Sequence, residues 1–164
     1  MTGRATVLIC DGPIEAALAS LEAPWNSRTL APPVTGGSCG AWIEFQGAVR
    51  DLEGDPPVPI AALEYEAHRE MAIHQMQRIV RGLLEAYPIV AMLVIHRVGR
   101  VEVGEASILV RILSPHRREA LAACAEFIDE LKKWVPIWKH PVTPSLPSPA
   151  SARAGSTRPQ NPRA

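Results

Sequence analysis

The segment "DELKKWVPIWKHP", residues 129–141, places two lysines where charge is unexpected, Lys132 and Lys139. Upstream, Leu121, Cys124, Ile128 and Leu131 recur at helical spacing and form one apolar stripe. Counted from Leu121 at about 100° per residue, Lys132 returns to within about 20° of that stripe, while Lys133 points to solvent. A lysine so placed either snorkels past the helix end or faces a polar cavity. In a cavity it could transfer a proton or act on an electrophile, and desolvation would favour its neutral form. "WVPIWK" then leaves the helix at Pro136. Its alternating Val135, Ile137 and Trp138 are expected to wedge against the body or a partner, with Trp138 fixing Lys139.

The start of the same helix breaks a second local rule. Ser114 suits the N-cap and Pro115 the first helical position. The first turn should then favour acidic side chains, yet it carries His116, Arg117 and Arg118. Free amide N–H groups, a positive dipole end and two guanidiniums make a site for an anion. The alternative is a solvated surface on which Glu119 or distant carboxylates neutralise the charge, and these residues alone leave both open. Arg50 ends a strand beside Gly47, where backbone can approach closely. His68, His74 and His96 lack ligand spacing, and no His/Cys/Asp cluster suggests a metal site. Glycine-rich phosphate loops and nucleophile elbows are absent as well.

Several elements must position these groups. Residues 5–10 read as a strand and residues 13–22 as a short helix capped by Asp11 or Gly12. Residues 23–40 are rich in turn formers and read as a loop. Residues 41–50 alternate as a strand with Gly47 allowing a bulge. After a turn, residues 60–67 form a second strand expected to pair with it. Residues 68–87 are helical by period, with Ala72, Met76, Ile79, Val80, Leu83 and Tyr87 on one face. Two apolar strands follow around "RVEVGE", then the last helix over residues 115–133. The order β-α-β-β-α-β-β-α predicts an α+β fold with a mostly antiparallel or mixed sheet.

The chain's 164 residues suit a single domain over residues 1–140. Residues 141–164 are dense in Pro, Ser and Arg and are expected to form a disordered tail. Lys plus Arg and Asp plus Glu both number 17, so no global field points to nucleic acid. Anion chemistry must therefore come from a local cluster. No apolar run reaches the length of a membrane span, and the N-terminal apolar stretch is short for a signal peptide. Three cysteines, Cys10, Cys39 and Cys124, suggest buried free thiols in a reducing cytoplasm.

Taken in order, "FQGAVR" (45–50), "LEYEAHREMA" (63–72), "IHRVGRVEVGE" (95–105), "HRREA" (116–120) and "LKKWVPIWK" (131–139) resemble the catalytic, large subunit of molybdopterin synthase. The resemblance covers about residues 40–140 and implies an α/β hammerhead-type fold. It implies a sulfur transferase that converts cyclic pyranopterin monophosphate to molybdopterin by installing a dithiolene. Sulfur would arrive as a thiocarboxylate on the C-terminal Gly-Gly tail of a small ubiquitin-like subunit. Two large subunits would form a homodimer, flanked by a small subunit at each end in a cytoplasmic heterotetramer. By the same resemblance, Lys132 is the essential lysine and Lys139 lies by the incoming tail. Phe45 and Arg50 line the pocket, and His116 and Arg117 enter from the neighbouring large subunit to hold the pterin phosphate. No metal or organic cofactor is implied, nor any nucleic-acid or membrane partner. After Lys139 the sequence departs from the family's usual charged residue and short ordered segment. A non-catalytic paralogue that binds the small subunit or a phosphorylated pterin without turnover is therefore the alternative.

Overall fold

The computed structural model describes residues 3–21, 25 and 39–144. The loop expected over 23–40 lies outside them except for Trp25, Cys39 and Gly40, as does the tail beyond residue 144. The described elements run β1 (Arg4–Cys10), α1 (Ile14–Ala19), β2 (Ala41–Ala48), β3 (Leu52–Glu53), β4 (Val58–Pro59) and β5 (Ala62–Ala67). They continue through α2 (Arg69–Ala86), β6 (Ala91–Arg97), β7 (Gly99–Glu102), β8 (Ala106–Ser114), α3 (Arg117–Trp134) and β9 (Ile137–Val142).

The fold is α+β, built on a mixed sheet ordered β1-β6-β8-β2. β1 runs parallel to β6, while β6 with β8 and β8 with β2 are antiparallel. β6 carries the apolar run Ala91–Ile95, and β8 a largely apolar run interrupted by Arg111, which pairs with Glu44 at 2.5 Å, because both faces of these central strands are covered. On one face α2 and α3 bury Met76, Val80 and Phe127 against Val94, Val110 and Ile112. On the other, Ile14 and Leu18 of α1, with Trp25, cover Leu93, Ile95 and Leu109. A second sheet, β7-β5-β9, and the short β3–β4 hairpin stand beside this core. No helix among the described residues is long and apolar enough to cross a membrane.

Several sequence expectations are corrected. β5 does not pair with β2. β2 is taken up by β8, and the β3–β4 hairpin turns the chain away so that β5 pairs with β7 and β9. β9 reaches Val142, two residues into the segment read as tail. Its prolines, Pro136 before it and Pro141 within it, hid a strand that tolerates them because it lies at a sheet edge. α3 starts at Arg117, not Pro115. Ser114 belongs to β8, where its hydroxyl donates to the Pro88 carbonyl at 3.3 Å, and extended His116 precedes the helix without a side-chain capping bond. α1 likewise follows Pro13, without a cap from Asp11 or Gly12.

The stripe on α3 is displaced as well. Its buried face is Ala120, Ala123, Cys124 and Phe127, while Leu121 is 57% exposed. Ile128 and Leu131 are only partly buried beside that face. Of the three free cysteines, Cys124 is buried but Cys10 and Cys39 are only partly so. α2 matches its expected period, burying Ala72, Met76, Val80 and Leu83. The Nδ1 of His68 caps it by accepting from the Met71 amide at 3.4 Å.

Candidate active site

A cavity of about 410 Å³ opens where β2, the β3 hairpin, β5, β9 and the C-terminal end of α3 converge. Phe45 and Arg50 from β2 and its exit, Lys132 from α3 and Lys139 from β9 all line it. Gly47 sets the geometry of the first two. A Cβ there would meet Ile108 Cγ2 at 2.7 Å, so a larger residue would collide with the Ile108 side chain. The register slips between Gly47 and Ala48, forming a bulge that ends the pairing. Val49 then buries its side chain, and its amide donates to the Glu105 carbonyl at 2.9 Å. Arg50 is thereby turned to the cavity mouth, its side chain 78% exposed.

Lys132 projects from the last turn of α3 and is exposed, so the desolvation expected for it is absent in the single chain. It lines the cavity from the border of the buried face. Lys139 is held by backbone pairing: it stands opposite Tyr65 in the β5–β9 ladder. Trp138, expected to wedge and fix it, is 53% exposed, and Val135 is the buried member of that segment.

Four further polar residues, Tyr65, Ser107, His96 and Glu53, line the cavity and were not among the site residues expected from the sequence. The Tyr65 hydroxyl donates to Ser107 Oγ at 3.1 Å, and Ser107 Oγ donates to the Gly47 carbonyl at 3.1 Å. His96 is 4% exposed and stacks edge-on against Tyr65, with ring centroids 5.5 Å apart. Its Nδ1 lies 2.8 Å from the Arg97 carbonyl, which can only accept, so Nδ1 carries the proton and Nε2 is left as an acceptor. Burial pushes its pKa below the usual 6.5, opposed in part by that carbonyl. In the sequence, a histidine inside the apolar run "MLVIHR" is the signal for this buried polar group. The fourth residue, Glu53, accepts from Lys139 Nζ and lies 4.0 Å from the Arg50 guanidinium.

The cavity thus sets three cations, Arg50, Lys132 and Lys139, against one carboxylate, beside apolar walls from Phe45, Ile108 and Leu131. Such a site suits a ligand with an apolar part and an anionic end. Among the described residues, no group of His, Cys, Asp and Glu is placed to hold a metal ion.

His116 and Arg117 are not brought to this cavity. They lie at the N-terminal end of α3 and Lys132 lies in its last turn, a separation of roughly 24 Å at 1.5 Å per residue. Both are exposed, and among the described residues neither Arg117 nor Arg118 pairs with a carboxylate. Between the two ends runs a groove of about 390 Å³, lined by Ile43, Leu121, Cys124 and Ala125. Phe45 and Ile128 line both the groove and the cavity, so the two are adjacent.

The family model described as MoaE protein matches residues 21–134. The molybdopterin synthase catalytic subunit of Pyrococcus abyssi is 45% identical over 119 residues, covering 73% of this chain and 79% of that protein. The crystal structure of molybdopterin synthase from Staphylococcus aureus superposes with a TM-score of 0.66 at 26% identity, covering 83% of this chain and 90% of that one. A complex of subunits 1 and 2 of molybdopterin-converting factor from Helicobacter pylori shares the fold, with a TM-score of 0.57 at 21% identity over 82% of this chain and 83% of that one.

Proposed function

The chain belongs to the MoaE protein family of molybdopterin synthase catalytic subunits, and from that premise we propose that its cavity converts cyclic pyranopterin monophosphate into molybdopterin. Sulfur comes from the thiocarboxylate at the C-terminal Gly-Gly of a small ubiquitin-like carrier. One observation carries the reading: Lys132 and Lys139 meet Arg50 and Phe45 around a single cavity.

Phe45 and the apolar walls take the flat pterin, and the cations neutralise its phosphate and the charge that develops during transfer. Lys132 acts in proton transfer or in activating the attacked carbon. Lys139 orients the thiocarboxylate tail.

His116 and Arg117 serve the cavity of a second copy. Because they lie roughly 24 Å from their own Lys132 along α3, they share a pocket with a lysine only when two α3 helices run antiparallel across a two-fold axis. The largely apolar groove between β2 and α3 supports that arrangement, since it lies along α3 between the two ends and exposes Leu121. The working unit is then a homodimer of this chain with one carrier at each end. Free thiols at Cys10, Cys39 and Cys124 support a cytoplasmic setting.

The test is a single-turnover reaction of the purified chain with thiocarboxylated carrier and cyclic pyranopterin, the dithiolene product being read as its fluorescent oxidised derivative. Product from the parent and none from Lys132→Ala is expected. No product from either, with the carrier still bound, would replace the enzyme by a binding scaffold.

A further inference from the structure

We propose that Glu53 is an internal stand-in for the terminal carboxylate of the carrier tail, holding Lys139 between carrier visits and displacing the spent tail. The proposal rests on the reading that Lys139 receives that tail.

Glu53 is the one carboxylate lining the cavity among the described residues. Its side chain is only 19% exposed although it sits on a surface hairpin, because it turns inward to accept from Lys139. The two partners are held very differently. Lys139 belongs to a ladder of six residue pairs with β5. Glu53 belongs to a hairpin of two pairs, Leu52 with Pro59 and Glu53 with Val58, that joins neither larger sheet. When an anion arrives at Lys139, Glu53 is the partner free to yield. With Lys139 half exposed, such a pair changes a binding equilibrium by about one- to five-fold. That is weak enough for a ligand to displace and strong enough to compete with one.

The reaction gives such competition a use. A dithiolene holds two sulfurs and each tail delivers one, so a carrier must be exchanged during synthesis. Sulfur transfer to the substrate carbon, followed by hydrolysis of the acyl–sulfur bond, leaves the spent tail ending in an ordinary carboxylate. That group is chemically equivalent to the side chain of Glu53. On Lys139 the two exclude each other, and the intramolecular carboxylate is always present to take the ammonium back.

The test titrates the carrier with an ordinary Gly-Gly carboxylate end into the wild-type chain, Glu53→Gln, Lys139→Ala and the double variant, with Glu53→Ala as a second removal of the charge. Expected is a two- to five-fold tighter complex with slower dissociation for Glu53→Gln, and no such gain in the Lys139→Ala background. Unchanged or weaker binding by both Glu53 variants, with Lys139→Ala clearly weakened, overturns the stand-in and leaves the tail site intact. Wild-type affinity in Lys139→Ala, or undetectable binding throughout, overturns the tail site and the stand-in together.

Discussion

Tyr65 and Lys139 face each other across the β5–β9 ladder, so both side chains leave the sheet on the side that lines the cavity. Lys139 is therefore aimed by backbone pairing, whereas Lys132 is aimed by its position in the last turn of α3. The two lysines should separate on mutation. Lys132→Ala is expected to slow single turnover by about 10²–10⁴-fold, the usual worth of a proton-transfer group, with carrier affinity unchanged. Lys139→Ala should instead weaken carrier binding in a titration. Loss of carrier affinity at Lys132 would count against this division.

The length of α3 makes a second expectation quantitative. If each pocket combines Lys132 of one copy with His116 and Arg117 of the other, two inactive variants can rescue each other. Lys132→Ala mixed with His116→Ala/Arg117→Ala, after subunit exchange, should recover about one quarter of wild-type activity, because half the dimers are mixed and each holds one intact pocket. No recovery after verified exchange would return His116 and Arg117 to the solvated surface.

Leu121 is 57% exposed and lines the groove that lies along α3 between its two ends. Leu121→Asp puts a charge into a face that the dimer would bury, where desolvation opposes association. The expected result, read by light scattering and circular dichroism, is a folded monomer without turnover. A dimer that survives the substitution would place the two-fold contact elsewhere.

His96 should leave a mark on stability. Its folded pKa lies below 6.5 because it is buried neutral, while in the unfolded chain it takes up a proton near the ordinary value. As pH falls through that value the unfolded state binds more protons, so stability present above it is lost on acidification. The thermal midpoint of the wild type should therefore fall more steeply between about pH 7 and about pH 5 than that of His96→Gln. Parallel curves would mean that His96 titrates normally.

Much of this was legible in the residues, and the failures have physical reasons. The α+β class and α2 were readable because long apolar periods and β-branched runs dominate local preference. On α3 the expected stripe ran through Leu121, Cys124, Ile128 and Leu131, but the buried face is Ala120, Ala123, Cys124 and Phe127, where the two alanines permit close approach and Phe127 fills the core. That displacement of the stripe is why Lys132 sits at the border of the core. Ser114 read as a cap because propensity cannot see that β8 needs it for one more residue of ladder. Lys132 stood out by breaking the helix pattern, Lys139 by its place after Trp138 in the segment that leaves the helix, and Arg50 through resemblance. Tyr65, Ser107 and Glu53 fit their strands as ordinary residues, and only the assembled sheets bring them to the cavity.

The pairing of β9 with β5 also fixes when the site comes into being. Between these strands the chain runs through α2, β6, β7, β8 and α3, so the ladder that aims Lys139 is strongly non-local, the kind of contact that forms late in folding. A ribosome makes β5 long before β9. Until β9 emerges and closes on β5, Tyr65 has no partner there and the cavity lacks a wall. A nascent chain therefore has no assembled pocket to offer a ligand until β9 has been made and has paired with β5.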